Sequence, residues 1–247
     1  MTSRTAIVTG GASGIGLAIG SRLAADGALV ALFDVDGGAA RAAAAAIGAA
    51  GGKAVGLGVD VTDRAAIDSA VAEVRATLGA PAILVNSAGI TVAGPFLDLT
   101  AEVWNRVLAV NLTGAFDCCQ AVLPDMIAQG WGRIVNISSS SMHSGVAGMA
   151  AYVSAKAGMV GLTKVLALEF GRAGVTVNTI PPGFIETPMM RDSLRKGVFS
   201  MDEQIAKTPV GRVGRPEDIA ATCAFLVSEE AAYLTGQIIG VNGGRNT

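Results

Sequence analysis

The chain has 247 residues, 51% of them hydrophobic and 15% charged, and 18 basic against 20 acidic side chains give a formal net charge of −2. That balance excludes a disordered chain and leaves no electrostatic footprint for nucleic acid or an anionic membrane surface. The length suits one α/β unit with a sizeable core, and no apolar run is read as a membrane span.

The amino terminus, MTSRTAIVTGG, enters a strand without an apolar leader and cleavage site, so no signal peptide is expected. Short apolar, β-branched runs predict strands at residues 5–9, 29–34, 54–60, 82–86, 133–137, 175–180 and 238–241. Several are apolar throughout rather than alternating, which fits central parallel strands covered on both faces. Ala-rich helical stretches lie between them, at 15–26, 38–49, 63–78, 101–128, 152–171 and 216–228. Ser200 and Glu203 have capping-box spacing for a short extra helix, and Pro216 suits a first helical turn. Strand–helix alternation with right-handed crossovers predicts a single doubly wound parallel α/β sheet. Cys118, Cys119 and Cys223 are expected as reduced, buried thiols of a cytoplasmic protein. One histidine and no CxxC or HExxH predict no protein-held metal site.

TGGASGIG, residues 9–16, follows the first strand and opens the first helix. Gly10, Gly14 and Gly16 let the backbone turn tightly and approach a pyrophosphate. Ser13 and Ile15 complete the turn, where the helix N-terminus offers free N–H groups to an anion. Asp34 ends the second strand, 18 residues after Gly16. A carboxylate there accepts hydrogen bonds from the adenosine ribose hydroxyls and repels a 2′-phosphate. No Arg or Lys stands in the cradle, and Val35 and Asp36 follow Asp34, so NAD(H) is expected rather than NADP(H). Asp60 and Val61, and the NSAG residues Asn86, Ala88 and Gly89, end the third and fourth strands beside the same crevice.

YVSAK places Tyr152 and Lys156 on one face of a helix. A phenol near pKa 10 exchanges its proton poorly at neutrality, and a neighbouring ammonium favours the phenolate. Such a pair can protonate a carbonyl oxygen or deprotonate an alcohol. Alone it better describes a solvated amphipathic helix; the dinucleotide cradle in the same sheet changes the balance.

TGGASGIG, Asp60-Val61, NSAG, the Asn111 of VNLTG, the ISS of NISSSS, YVSAK and IPPGFIETPM together resemble a short-chain dehydrogenase/reductase along nearly the whole chain. Ser87 stands where asparagine is usual, and Pro181 where alanine is commoner. The resemblance implies a single-domain Rossmann fold with a seven-stranded parallel sheet in the order 3-2-1-4-5-6-7. It implies Tyr152 as general acid/base, and Lys156 as its tuner and the binder of the nicotinamide ribose. A serine would bond the substrate oxygen, and Asn111 would hold a relay water. Pro182, Gly183, Ile185 and Thr187 would embrace the nicotinamide end. Among Ser138, Ser139, Ser140 and Ser141 it selects Ser139, the second serine of ISS, 13 residues before Tyr152.

Residues 188–210, with Met189, Met190, Leu194, Val198, Phe199 and Met201, are expected to form an apolar lid. Met142, Val146, Met149 and Phe184 could add apolar walls, and His143 is expected on a surface loop. These features favour an uncharged, hydrophobic secondary alcohol or ketone. The alternative is a 3-oxoacyl thioester reductase, for which Arg133, Arg172, Arg191, Arg195 and Lys196 could supply a basic rim for an acidic carrier. A non-catalytic dinucleotide sensor is the reading from another class, and the intact Asn111, Ser139, Tyr152 and Lys156 argue against it. In similar proteins the two long helices pair across a two-fold, implying a homotetramer.

Overall fold

In the computed structural model, which describes residues 4–195 and 199–245, six of the apolar runs pair as one parallel sheet in the order β3-β2-β1-β4-β5-β6. The strands are β1 (Thr5–Thr9), β2 (Leu29–Asp34), β3 (Lys53–Gly58), β4 (Pro81–Asn86), β5 (Gly132–Ile137) and β6 (Val175–Ile180). Helices α1 (Gly14–Ala25), α2 (Gly37–Ala49) and α3 (Arg64–Thr77) connect the first four strands. Asp36 caps α2 by accepting from the Ala39 N–H, and Asp63 caps α3 by accepting from those of Ala65 and Ala66. Helices α4 (Ala101–Leu108) and α5 (Gly114–Gln129) precede β5, and the single turn α6 (Ser141–Ser144) and α7 (Ala150–Phe170) follow it. After β6 come α8 (Pro188–Arg195), α9 (Met201–Ala206) and α10 (Pro216–Leu226). Helix α9 stands where the Ser200–Glu203 spacing predicts one, but the Ser200 side chain makes no capping bond. Lys196 and Val198 lie outside the described residues.

Side chains alternate across the strands, so each face of the sheet has its own core. Ala6, Val8, Val30, Leu32, Ile83 and Val85 pack with α1, α2 and α10. Ile7, Ala31, Phe33, Leu84, Ile134 and Val177 pack on the other side with α3, α5 and α7. Cys118, Cys119 and Cys223 are free and buried, and burial pushes all three thiols up.

The expected seventh strand is a correction. Residues 238–241 make only isolated bridges, Thr179 to Ile238 and Pro182 to Val241, so no seventh strand forms among the described residues. The Thr179 N–H donates to Gln237 O, and Ile239 N–H to Thr179 O. The next rung of that parallel pattern needs an N–H at residue 181, and Pro181 has none. The substitution noted at Pro181 therefore interrupts the sheet edge.

A second correction concerns apolar length. Ala101–Gln129 and Ala150–Ala173 are helical, long and apolar enough by composition to cross a bilayer. In this fold much of that apolar surface has a partner: Val122 and Met126 from the first, and Leu166 and Ala167 from the second, pack in the core beneath the sheet.

Candidate active site

All six strands end at one edge, and the strand order reverses between β1 and β4, which opens a crevice there. The TGGASGIG turn occupies its floor. Gly10 has φ +63°, and a Cβ on Gly16 would lie 2.1 Å from Gly10 O. Only glycine fits position 16, and the tight turn leaves the amino end of α1 open to the crevice. Ser13 is the extended N-cap residue, Ile15 follows it in the first turn, and neither the Ser13 hydroxyl nor another side chain caps the helix. A Cβ on Gly14 would touch Thr187 Cγ2 at 3.5 Å, so the loop after β6 crosses above the cradle. A Cβ on Gly10 would meet Ala88 Cα at 2.9 Å, which sets NSAG directly against the turn. Thr9, which the sequence does not single out, ties the two together by accepting from the N–H groups of Ser87 and Ala88 at 3.1 Å each.

Asp34 stands at the end of β2 with one oxygen accepting from Ala12 N–H and the other from Asp36 N–H, both at 3.1 Å. Its carboxylate is thus fixed to the wall of the cradle. Asp60 accepts from the N–H and hydroxyl of Thr62, while Val61 is buried and packs against Gly114 at the start of α5. Asn86 departs from a crevice-lining side chain. It is 2% exposed, and its amide donates to Asn136 Oδ1 at 2.8 Å, inside the sheet. Pro182 and Gly183 are held from two sides: Ser140 N–H donates to Pro182 O, and Gly183 N–H to Val241 O. Ile185 is buried in the core, where it bridges to Gly214.

The serine run continues β5 alongside β6. Ser138 N–H donates to Ile180 O and Ser140 N–H to Pro182 O, so these two residues serve the backbone. Ser139 faces the other way. It lies beside the Tyr152 phenol, and its Oγ accepts from Ser141 Oγ at 2.8 Å and Ser141 N–H at 3.2 Å. Tyr152 and Lys156 share one face of α7, with Nζ 5.8 Å from the centre of the phenol ring. Lys156 is 4% exposed and donates to Ile137 O at 2.8 Å. Burial pushes the Tyr152 phenol up, and the neighbouring Ser139 hydroxyl offsets only part of that rise. Burial lowers the Lys156 ammonium to about 8. Each charge is disfavoured alone, and a phenolate beside an ammonium relieves both penalties.

Asn111 completes the cluster. The stretch read from sequence as one helix is broken at residues 109–113 by a π-helical segment between α4 and α5. Such segments re-aim side chains. Here Asn111 Nδ2 donates to Ile90 O and Val107 O at 2.9 Å each, while its Oδ1 is buried without a partner. A Cβ on Gly89 would lie 2.7 Å from that oxygen and 3.5 Å from Lys156 Nζ, so Gly89 leaves room between the two. A buried acceptor without a donor, next to an ammonium, suits a bound water.

Other expectations fare differently. Arg133 lies in the first residues of β5 and Arg172 in the turn before β6, both at the amino edge of the sheet, and Arg133 is buried, so neither can rim the crevice. Arg191 and Arg195 on α8 are exposed but paired with Glu186 and Asp192. His143 is exposed, as is Val146. Phe184 meets Phe199 edge-on at 4.5 Å, an apolar contact between the loop after β6 and the residues before α9.

Comparison with known proteins gives the family and the fold. A family model for short-chain dehydrogenases, described as Enoyl-(Acyl carrier protein) reductase, matches residues 10–246. The chain is 41% identical over 99% of its length, and 97% of the relative's, to (2S)-[(R)-hydroxy(phenyl)methyl]succinyl-CoA dehydrogenase subunit BbsD of Thauera aromatica. It is 42% identical to 3-oxoacyl-[acyl-carrier-protein] reductase FabG of Escherichia coli, covering 98% of this chain and 96% of that one. A solved structure from Beutenbergia cavernae, assigned as an NAD(P) dependent gluconate 5-dehydrogenase and carrying NADP at low occupancy, matches with a TM-score of 0.93. Its identity is 36%, over 99% of this chain and 97% of the other.

Proposed function

Because the chain belongs to the short-chain dehydrogenase/reductase family, an oxidoreductase family that binds a nicotinamide dinucleotide, we propose that it interconverts 3-hydroxyacyl and 3-oxoacyl thioesters with NAD(H). The observation that carries the reading is the convergence of Ser139, Tyr152, Lys156 and Asn111 beside a glycine cradle. The two curated relatives act, by name, on a hydroxyacyl-CoA and a 3-oxoacyl carrier thioester, which supports a thioester over a free alcohol. The phenyl group in the first name and the Phe184–Phe199 contact support a hydrophobic acyl part. The paired Arg191 and Arg195 make a poor rim for an acidic carrier, which favours a CoA ester. A hydrophobic secondary alcohol or ketone without a thioester is the second reading, favoured by the same apolar contact.

The cradle fits a dinucleotide: Gly10 and Gly16 keep the turn free of side chains, and Asp34 is held ready for ribose hydroxyls. Gly10, Ser13, Gly14, Ile15, Gly16 and Asp34 would hold its adenosine half. Asp60, Val61, Ala88, Gly89, Pro182, Gly183, Ile185 and Thr187, with Tyr152 and Lys156, would border the rest. When bound, the nicotinamide supplies or accepts the hydride. Tyr152 donates its phenolic proton to the nascent alkoxide in reduction and takes the alcohol proton in oxidation. Ser139 donates a hydrogen bond to the same oxygen and holds it against Tyr152. Lys156 stabilises the phenolate by its charge, and a water on Asn111 Oδ1 would pass protons between Lys156 and solvent. The exposed Phe116, Val165 and Leu168 of α5 and α7 support pairing of these helices between the subunits of a homotetramer.

The test is turnover of acetoacetyl-CoA with NADH and with NADPH, beside cyclohexanol and 2-octanol with NAD. Thioester turnover with NADH is expected; activity confined to the free alcohols would overturn the thioester reading. Tyr152→Phe should bind NADH normally while turnover falls by about 10²–10⁴-fold. A near-normal rate would remove Tyr152 from its role.

A further inference from the structure

We propose that Ser141 is a positioning residue that commits the Ser139 hydroxyl to donating its proton toward the reacting oxygen. This rests on the role given to Ser139 above. A serine hydroxyl has one proton and two acceptor lone pairs, and it rotates to suit its surroundings. A free rotor at position 139 could face Tyr152 with a lone pair as readily as with its proton. In this fold both acceptor positions of Ser139 Oγ are filled. Ser141 Oγ–H donates to it at 2.8 Å, and Ser141 N–H at 3.2 Å. The remaining hydrogen has one use, donation toward Tyr152 and whatever oxygen lies against it.

The local fold explains why residue 141 reaches back. Ser140 leaves the extended path of β5 with φ −61° and ψ −20°. The chain turns there, and an ST-turn forms in which the Ser139 side chain receives the N–H two residues on. The first turn of α6 then carries the Ser141 hydroxyl onto the same oxygen. Ser138 and Ser140 are tied to Ile180 O and Pro182 O by their own N–H groups, so the platform beneath Ser139 is fixed. Both serines of the pair are partly buried, which limits competition from water for the Ser139 lone pairs.

An oriented donor favours charge on the oxygen it faces. It stabilises the Tyr152 phenolate once the phenol has given up its proton, and the alkoxide that develops in the reaction. Losing the Ser141 hydroxyl leaves the N–H bond in place and frees one lone pair. Ser139 can then spend part of its time turned away.

The experiment measures kcat, KM and the pH profile for acetoacetyl-CoA reduction and the reverse oxidation in Ser139→Ala, Ser141→Ala, Ser141→Thr and the double alanine variant. Ser141→Ala is expected to lower kcat about tenfold with KM little changed. Its oxidation limb should move to higher pH, because the phenolate loses part of its donor. Ser141→Thr keeps a hydroxyl and should restore both the rate and the limb. In the Ser139→Ala background, adding Ser141→Ala should cost nothing further. Thermal midpoints and NADH affinity, measured alongside, should stay at the wild-type values. Should Ser139→Ala turn over normally, the catalytic reading itself fails. A crippled Ser139→Ala beside a Ser141→Ala with wild-type kcat and pH profile overturns the inference alone. So does an additive loss in the double variant, or a threonine variant as slow as the alanine one.

Discussion

Lys156→Met should make the cofactor-free protein more stable and the enzyme inactive. The ammonium is buried, and its pKa falls from 10.5 to about 8. At about 1.4 kcal/mol per tenfold, that displacement sets about 3 kcal/mol against the folded state at neutral pH. Methionine has similar length and no charge. It forfeits the bond from Nζ to Ile137 O, a loss of about 1 kcal/mol, which leaves a net gain of about 2 kcal/mol at pH 7. The pH dependence carries the sign. Below about 8 the lysine is protonated in both states, and the wild type bears the full penalty. Between about 8 and 10.5 only the unfolded chain keeps the proton, so wild-type stability rises with pH. Above that window the side chain is neutral in both states and the advantage of methionine is gone. Urea unfolding of both proteins, followed by circular dichroism at pH 7, 8.5 and 9.5 without nucleotide, reads the difference. A methionine variant less stable than wild type at pH 7, or a gap unchanged across that range, would show that burial of the charge is not what the fold opposes. A lysine charge buried at such a cost to the fold is explained by its use, and the phenolate of Tyr152 supplies one.

Two other substitutions probe the cradle. Asp34→Ser removes the carboxylate fixed against Ala12 and should move the ratio of kcat/KM for NADPH over NADH upward by about tenfold or more; a wild-type enzyme that already prefers NADPH would refute the NAD(H) reading. Gly16→Ala places a methyl 2.1 Å from Gly10 O, a backbone atom that cannot rotate away. It should cost roughly 3 kcal/mol or more of stability and abolish NADH binding by fluorescence titration, and an unaltered melting midpoint would contradict the packing described.

Local pattern was enough to place most of this molecule. Apolar β-branched runs, the glycine spacing and a carboxylate at a strand end all act over a few residues, so β1 to β6, the cradle and Asp34 are legible in the chain alone. The Tyr152–Lys156 pair follows from helical spacing, and a family pattern picks Ser139 from its three neighbours. Tertiary structure decided what depends on distant partners. Pro181 withholds a rung that only matters because residues 237–241 lie beside it. Asn111 reaches the site through a π-helical segment that an unbroken apolar periodicity conceals, and Asn86 turns inward because Asn136 of the adjacent strand accepts its amide. Arg133 and Arg172 look available as charges in the sequence, yet the parallel sheet carries them to the edge opposite the crevice. Among four like serines, hydroxyl chemistry alone cannot assign a donor and an acceptor. The turn after β5 does so, by folding Ser141 back onto Ser139 and leaving one proton with one direction to go.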